Sequence, residues 1–307
     1  WTPSRAATRS GGGEASTAHR ATAIRWTDDG MRPAELRLGD LAIEGWSLAG
    51  DETWFRIRPP GLAFDTGRGA AQLAGARDVF LSHGHLDHAL GLPYVLSQRS
   101  LHQGSETRVF CPAAIAEPLA ALVAAAERLE GSRYRYEIVP LAVGARVEVG
   151  RDLLVEAFAT DHVVPSLGYH LVRRKRRLAA GLAGLSGPEL VALRARGVET
   201  SQVVEELWLS YCGDTGPRVF DLTPALFGSR VLMLECTFVG EAQRGSGERY
   251  KHLHLDDIER FADRFENAAI VLHHLSRRHR PQELLAEIER RLPRLAARVH
   301  LLVEGSP

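Results

Sequence analysis

The chain has 307 residues, 45% of them hydrophobic, which is enough for one large domain or two small ones. Its 38 basic and 38 acidic side chains balance, which excludes a wholesale basic surface for nucleic acid but leaves room for a local patch. Cys111, Cys212 and Cys236 are far apart and form no C-x-x-C pair, so a disulfide framework is excluded and a reducing, cytoplasmic setting is expected. No apolar run approaches the ~18 residues of a membrane span.

Residues 1–30 are rich in Ala, Arg, Ser, Thr and Gly and lack the apolar content to order themselves. Met31 is the first methionine, immediately before the folded pattern. A disordered tail over 1–30, upstream of the natural start, and a single domain over 31–307 are therefore expected. From residue 36 the pattern is β-rich. Short strands are predicted at 41–43, 53–57 and 62–64, with turns at Gly50-Asp51 and Pro59-Pro60-Gly61. Asp65-Thr66-Gly67-Arg68-Gly69 follows the third strand. A strand at 79–81 leads into a histidine cluster, and 86–97 has helical spacing. A strand at 108–110 precedes an Ala- and Leu-rich helix over 112–128, with proline at its start.

Strands are predicted next at 136–139, 147–149, 153–159 and 169–172. The basic run Arg173-Arg174-Lys175-Arg176-Arg177 then precedes a loop, and reads either as a phosphate grip or as a solvated charge run. Ser186 caps a short helix that Gly197 stops. Strands at 207–211 and 231–234, a helix over 256–265, a strand at 269–272, a helix over 281–292 and a strand at 299–303 complete the chain. The second half repeats the style of the first. Two sheets packed face to face with helices outside is the economical architecture. His170 and His279 are expected at the surface, and Cys212 and Cys236 as buried packing residues. No segment carries a P-loop, a dinucleotide fingerprint or a G-x-S-x-G elbow.

His83-Gly84-His85-Leu86-Asp87-His88 places three imidazoles and one carboxylate within six residues. Those are donors for zinc and similar divalent ions. Alternation at 83 and 85 sends two imidazoles to one side of a strand end. A tightening turn aims Asp87 and His88 at a second point, so one loop can feed two adjacent ions. Four later segments share one signature, a strand with a metal-type residue at its end. They are Asp161-His162, Gly213-Asp214-Thr215, Glu235 and His273-His274. Strand ends on one edge of a sheet converge on one cleft. The pooled ligand set is His83, His85 and His162 on one ion, Asp87, His88 and His274 on the other, with Asp214 bridging. Two zinc ions suit these donors, and manganese or iron also fits them. Two such ions ~3.5–4 Å apart lower the pKa of a shared water toward neutrality, so attack by metal-bound hydroxide is the expected chemistry. Asp87 is both a ligand and the candidate to orient or deprotonate that water. Asp65 reads either as a hydrogen-bond partner of a ligand imidazole or as a capping residue at a Gly turn.

These segments resemble the metallo-β-lactamase superfamily, whose hallmark is the H-x-H-x-D-H loop, over most of residues 36–303. Within it the chain is similar to the ribonuclease Z endonucleases. The similarity rests on Phe64-Asp65-Thr66-Gly67, Ser82 to Pro93, Asp161-His162 with Gly168-Tyr169, Cys212-Gly213-Asp214-Thr215, Glu235-Cys236-Thr237-Phe238 and His274-Leu275-Ser276-Arg277. The last segment selects His274 over His273 as ligand. The resemblance implies an αββα sandwich of two mixed sheets and a two-ion hydrolase that cuts the phosphodiester at the 3′ end of a tRNA precursor. It implies a homodimer and an RNA partner, and a Glu–His pair that assists the leaving oxygen, here Glu235 with His252 or His254. Three features depart from the family pattern: Glu44-Gly45-Trp46-Ser47 at the opening strand, a shortened arm-like insertion over about 173–202, and the two histidines at 252 and 254. They leave open a small-molecule hydrolase of the same fold, acting on an ester, lactone or cyclic phosphodiester. A scaffold that keeps metal only for folding is the non-enzymatic alternative.

Overall fold

The computed structural model describes residues 34–102, 105–278 and 280–301. The expected tail over 1–30, His279 and the end of the last strand lie outside the described residues.

Two seven-stranded mixed sheets pack face to face. The first holds β1 (Ala34–Leu38), β2 (Leu41–Leu48), β3 (Glu52–Arg58), β4 (Leu62–Phe64), β5 (Asp78–Phe80), β6 (Thr107–Pro112) and β7 (Tyr136–Leu141) in chain order. The second holds β8 (Arg146–Gly150), β9 (Leu153–Ala159), β10 (Leu167–Leu178), β11 (Ser201–Tyr211), β12 (Val231–Glu235), β13 (Ala269–His273) and β14 (Val299–Leu301). In each half the first four strands pair antiparallel and the last three continue in parallel. The helices cover the outer faces, giving the αββα sandwich.

The short parallel strands are apolar on both sides because both of their faces are buried. Phe64, Phe80 and Phe110 are aligned across β4, β5 and β6 and point between the sheets, with the Phe80 and Phe110 rings stacked at 4.5 Å. Their neighbours Ala63, Val79 and Val109 point outward, under α2 (Leu92–Leu101) and α3 (Ala116–Glu130). The second sheet repeats this. Leu209, Tyr211, Met233 and Val271 face inward, while Leu232, Leu234 and Leu272 pack outward against α7 (Leu255–Arg260) and α8 (Pro281–Arg291). Among the described residues no helix is long and apolar enough to cross a membrane.

Two local expectations are corrected. The basic run 173–177 precedes a loop as expected, but it does not lie outside the strand predicted at 169–172. It is the outer half of the 12-residue strand β10, paired along its length with β11. The partner strand carries acids in register: Arg173 lies opposite Glu206 and Arg174 opposite Glu205. Arg173 bonds Asp40 at 2.5 Å and Glu206 at 3.2 Å, Arg174 bonds Glu148 and Glu205, and Lys175 bonds Glu206 at 2.5 Å. The outer ends of these strands lead to and from the arm helix α4 (Gly187–Ala195), which Ser186 and Glu189 close with a capping box.

The second correction concerns His170, which is buried and not at the surface. Its place on β10 turns it to the outer face of the sheet, where Nδ1 meets Ser210 Oγ at 2.7 Å and the ring packs on Phe158. Burial pushes its pKa down to about 4. An unfolded histidine protonates near 6.5, so the folded state resists a proton that the unfolded state takes up. The resulting stability is present above pH 6.5 and drains away as pH falls toward 4. NMR titration is expected to show a neutral His170 ring at pH 5.5, and a midpoint near 6.5 would overturn this.

Candidate metal centre

All the candidate ligands stand at the carboxyl ends of strands, along one rim shared by the two sheets. The end of β4 delivers Asp65, the end of β5 the 83–88 loop, and the end of β9 Asp161-His162. The ends of β11, β12 and β13 deliver Asp214, Glu235 and His274. Ligand sites gather at this edge of mixed sheets because the loops there point the same way. Two sharp turns need the left-handed region, Asp65 at φ 54° and His274 at φ 54°. Such values are uncommon for residues with a Cβ and cluster at functional sites. Gly91 lets α2 approach the Asp65 turn, since a Cβ there would sit 2.0 Å from the Gly69 nitrogen.

Potential ligand atoms fall into three overlapping groups, one of them Asp214, Glu235, His252 and His274. His83, His85, His162 and Asp214 have theirs within 4.8 Å of one another, and so do Asp87, His88 and His274. Asp214 joins the groups, because its Oδ2 lies 3.7 Å from His83 Nε2, 3.4 Å from His88 Nε2 and 3.3 Å from His274 Nε2. Asp87 Oδ2 lies 3.8 Å from His88 Nε2 and 3.6 Å from His274 Nε2. Two donors at tetrahedral angles and zinc-like bond lengths are ~3.3 Å apart, so this spacing suits a shared ion rather than direct hydrogen bonds. The Nε2 atoms of His83, His88 and His274 and Oδ1 of Asp214 are buried and have no hydrogen-bond partner. Unpaired buried polar atoms are costly, and three imidazole nitrogens gathered around the Asp214 carboxylate fit divalent cations.

The far side of each ring explains why the Nε2 lone pairs face inward. His88 Nδ1 donates to Asp65 Oδ2 at 2.8 Å. His83 Nδ1 donates to Ser82 Oγ at 3.0 Å, and that hydroxyl donates to Asp65 Oδ2 at 2.8 Å. His274 Nδ1 donates to Thr237 Oγ1 at 2.9 Å. His162 Nδ1 donates to the Lys251 carbonyl at 3.2 Å, and its Nε2 sits 3.2 Å from His85 Nδ1. Such partners set the tautomer and leave the opposite nitrogen free for a metal. The Gly50 amide donates to Asp87 Oδ2 at 3.1 Å, so the β2–β3 turn closes over the site.

Charge is tuned to match. Burial disfavours the Asp214 anion, but the His274 and His88 imidazoles hold its pKa well below the carboxylate range. Burial drives His83 well below its usual value, aided by the neighbouring His88 ring. Burial also opposes a charged His88, yet Asp214 and then Asp65 outweigh it and raise its pKa well above normal. This point of the site favours a positive charge, whether a proton or a metal ion.

His252 and His254 are separated clearly. His252 Nδ1 meets Glu235 Oε1 at 2.8 Å, and its ring stacks on His274 with centroids 5.2 Å apart. Burial lowers its pKa, but Glu235 prevails and pushes it up to about 9. His254 faces away as the N-cap of α7. Its Nδ1 accepts from the Asp256 amide at 3.0 Å and its Nε2 reaches the Gly240 carbonyl at 3.1 Å. His273 points between the sheets against Phe55 and Tyr211, away from the ligands. Cys212 and Cys236 are fully buried, and burial pushes both thiols far up. Sequence reasoning did not single out Thr237, Lys251 or Gly50. Thr237 stands two residues after Glu235, while the other two act through their backbone and leave no side-chain signal.

The family profile described as "Beta-lactamase superfamily domain" matches residues 53–275. The chain is 34% identical over 273 residues to "tRNase Z TRZ1" of Arabidopsis thaliana, covering 88% of this chain and 98% of the relative. Among solved structures it is similar to the human tRNase Z, short form (TM-score 0.51, 18% identity, 93% of this chain and 95% of that one). It also matches the metallo-beta-lactamase fold protein YhfI of Bacillus subtilis (TM-score 0.59, 13% identity, 85% of this chain and 95% of that one). At these identities the two structures speak for the fold alone.

Proposed function

The chain belongs to the metallo-β-lactamase superfamily as a ribonuclease Z-like, metal-dependent hydrolase, and from that premise we propose a two-ion endoribonuclease that trims the 3′ end of tRNA precursors. The observation that carries this reading is the convergence of three unpartnered imidazole nitrogens on Asp214, with the Glu235–His252 pair beside them. His83, His85 and His162 would hold one ion, Asp87, His88 and His274 the other, and Asp214 both. Zinc suits the donors best. The ions would supply Lewis acidity to the scissile phosphate and to the attacking water.

The chain's own groups do the rest. Asp87 is mostly buried at the mouth of the site and is held by Gly50, so its carboxylate orients the water and accepts its proton. His252 keeps Nδ1 on Glu235, whose charge favours the protonated ring, so its other nitrogen can donate a proton to the departing 3′-oxygen. That leaves a 3′-hydroxyl on the tRNA.

The direct test is incubation of zinc-loaded protein with a tRNA precursor carrying a 3′ trailer. Cleavage at the trailer junction is expected. No cleavage, alongside turnover of bis(p-nitrophenyl) phosphate, would replace the RNA reading with a small-molecule one. The two histidines give a second test. His252→Ala is expected to lower kcat by roughly 10²–10⁴-fold with metal still bound. His254→Ala is expected to keep kcat and cost about 1 kcal/mol as a lost cap. Equal losses in kcat for the two variants would remove His252 from the acid role.

A further inference from the structure

Two buried carboxylates organise the site in parallel ways. Asp65 takes His88 directly and His83 through the Ser82 hydroxyl. Glu235 takes His252 directly at 2.8 Å, and a hydroxyl again stands between it and a second ring. That hydroxyl is Thr237 Oγ1, which lies 2.6 Å from Glu235 Oε2 and 2.9 Å from His274 Nδ1. The His274 carbonyl at 3.1 Å and His252 Nδ1 at 3.4 Å surround the same oxygen. A hydroxyl has one proton to give. The shortest contact is to the carboxylate, and a charge-assisted bond is the stronger one. The proton therefore goes to Glu235, which leaves the oxygen lone pairs to accept from His274 Nδ1–H.

We propose that Thr237 is a positioning residue: its hydroxyl locks His274 in the Nδ1–H tautomer and ties that ligand to the carboxylate that also holds His252. Glu235 has no freedom to shift. The Thr215 amide donates to Oε1 at 2.8 Å, the Thr237 amide to Oε2 at 3.3 Å, and its side chain is fully buried. Without the hydroxyl, His274 Nδ1 loses its acceptor and the ring is free to take the Nε2–H tautomer, which has no lone pair facing Asp214 and Asp87. One carboxylate thus orders both a ligand for the second ion and the acid for the leaving oxygen. Thr237→Val keeps the shape and deletes only the relay.

The inference deepens the two-ion reading, and the experiment separates their failures. Zinc affinity is measured by competition with a chromophoric chelator for the wild type, Thr237→Val and Thr237→Ser. Removing an outer partner of a ligand costs roughly 10–100-fold in metal affinity. Thr237→Val is expected to lose that factor at one ion and keep the other, while Thr237→Ser, which restores the hydroxyl, is expected to match the wild type. Unchanged zinc binding in Thr237→Val overturns the proposal, as does a serine variant as weak as the valine one. A wild type that binds a single ion defeats the two-ion reading, and the same three-way comparison still decides Thr237 on that ion. Long-range ¹H–¹⁵N spectra of the zinc-loaded wild type need no variant to fold. They are expected to show His274 protonated at Nδ1, and protonation at Nε2 refutes the relay.

Discussion

Asp214→Ala is expected to abolish hydrolysis for practical purposes, with kcat/KM falling on the order of 10⁴-fold and bound metal dropping below two ions per chain. The carboxylate faces His83, His88 and His274 within 3.7 Å, so it lies between the two proposed ligand sets. Without it three imidazole nitrogens face one another in a buried space, and only Asp87, 3.6 Å from His274 Nε2, remains to offset a dication. Ion-assisted charge stabilisation contributes several kcal/mol to a transition state, and each 1.36 kcal/mol is tenfold in rate. Steady-state kinetics with metal analysis of the same sample checks both parts. Two ions per chain and a loss of only about tenfold would show that Asp214 does not bridge.

The largest effect on stability is expected at Asp65→Ala. Its carboxylate accepts from the Ser82 amide at 2.6 Å, the Ser82 hydroxyl at 2.8 Å, His88 Nδ1 at 2.8 Å and the Tyr211 hydroxyl at 2.5 Å. None of these groups is exposed. Burial and then the Asp65 charge push the Tyr211 phenol well above its usual range, so it remains a donor. Removing the shared acceptor strands several buried donors at once. Losses of this kind run to about 3–5 kcal/mol. For a domain of this size that lowers Tm by roughly 10 °C. Metal affinity falls with it, since His83 and His88 lose the partners that orient them. Calorimetry on metal-free protein separates the two effects, because the stability loss persists without metal. A metal-free Tm within about 3 °C of wild type would mean that the carboxylate serves the metal alone.

Much of this site was legible in the linear chain, and residue spacing explains why. His83, His85, Asp87 and His88 are close in sequence, so their convergence is local. The same holds for Asp65 at a Gly turn directly after a core strand. The strands themselves were readable because the parallel ones are continuous apolar runs. Helix α4 was readable because Ser186 carries a cap signal at its start and Gly197 a stop signal after its end. The errors lie where partners are distant. The basic run at 173–177 left two readings open because the acids that pair with it, Glu205 and Glu206, stand about thirty residues away on β11. His170 looked like a surface residue because alternation alone does not say that the outer face of β10 is covered.

By itself the sequence determined the alternation of strands and helices, the residue types of a candidate metal site and the order in which strand ends present them. Those properties follow from periodicity and from donor chemistry, which are local. Only the tertiary structure decided between His252 and His254, which stand two residues apart and have the same side chain. One meets Glu235 and the other caps a helix, because the chain bonds Phe238 through Leu253 and Leu255 and turns into α7 directly after His254. Only the tertiary structure, likewise, joined Thr237 to His274 across 37 residues. Hydrogen bonds are short and directional, and which groups come within reach depends on how β12 and β13 are brought side by side.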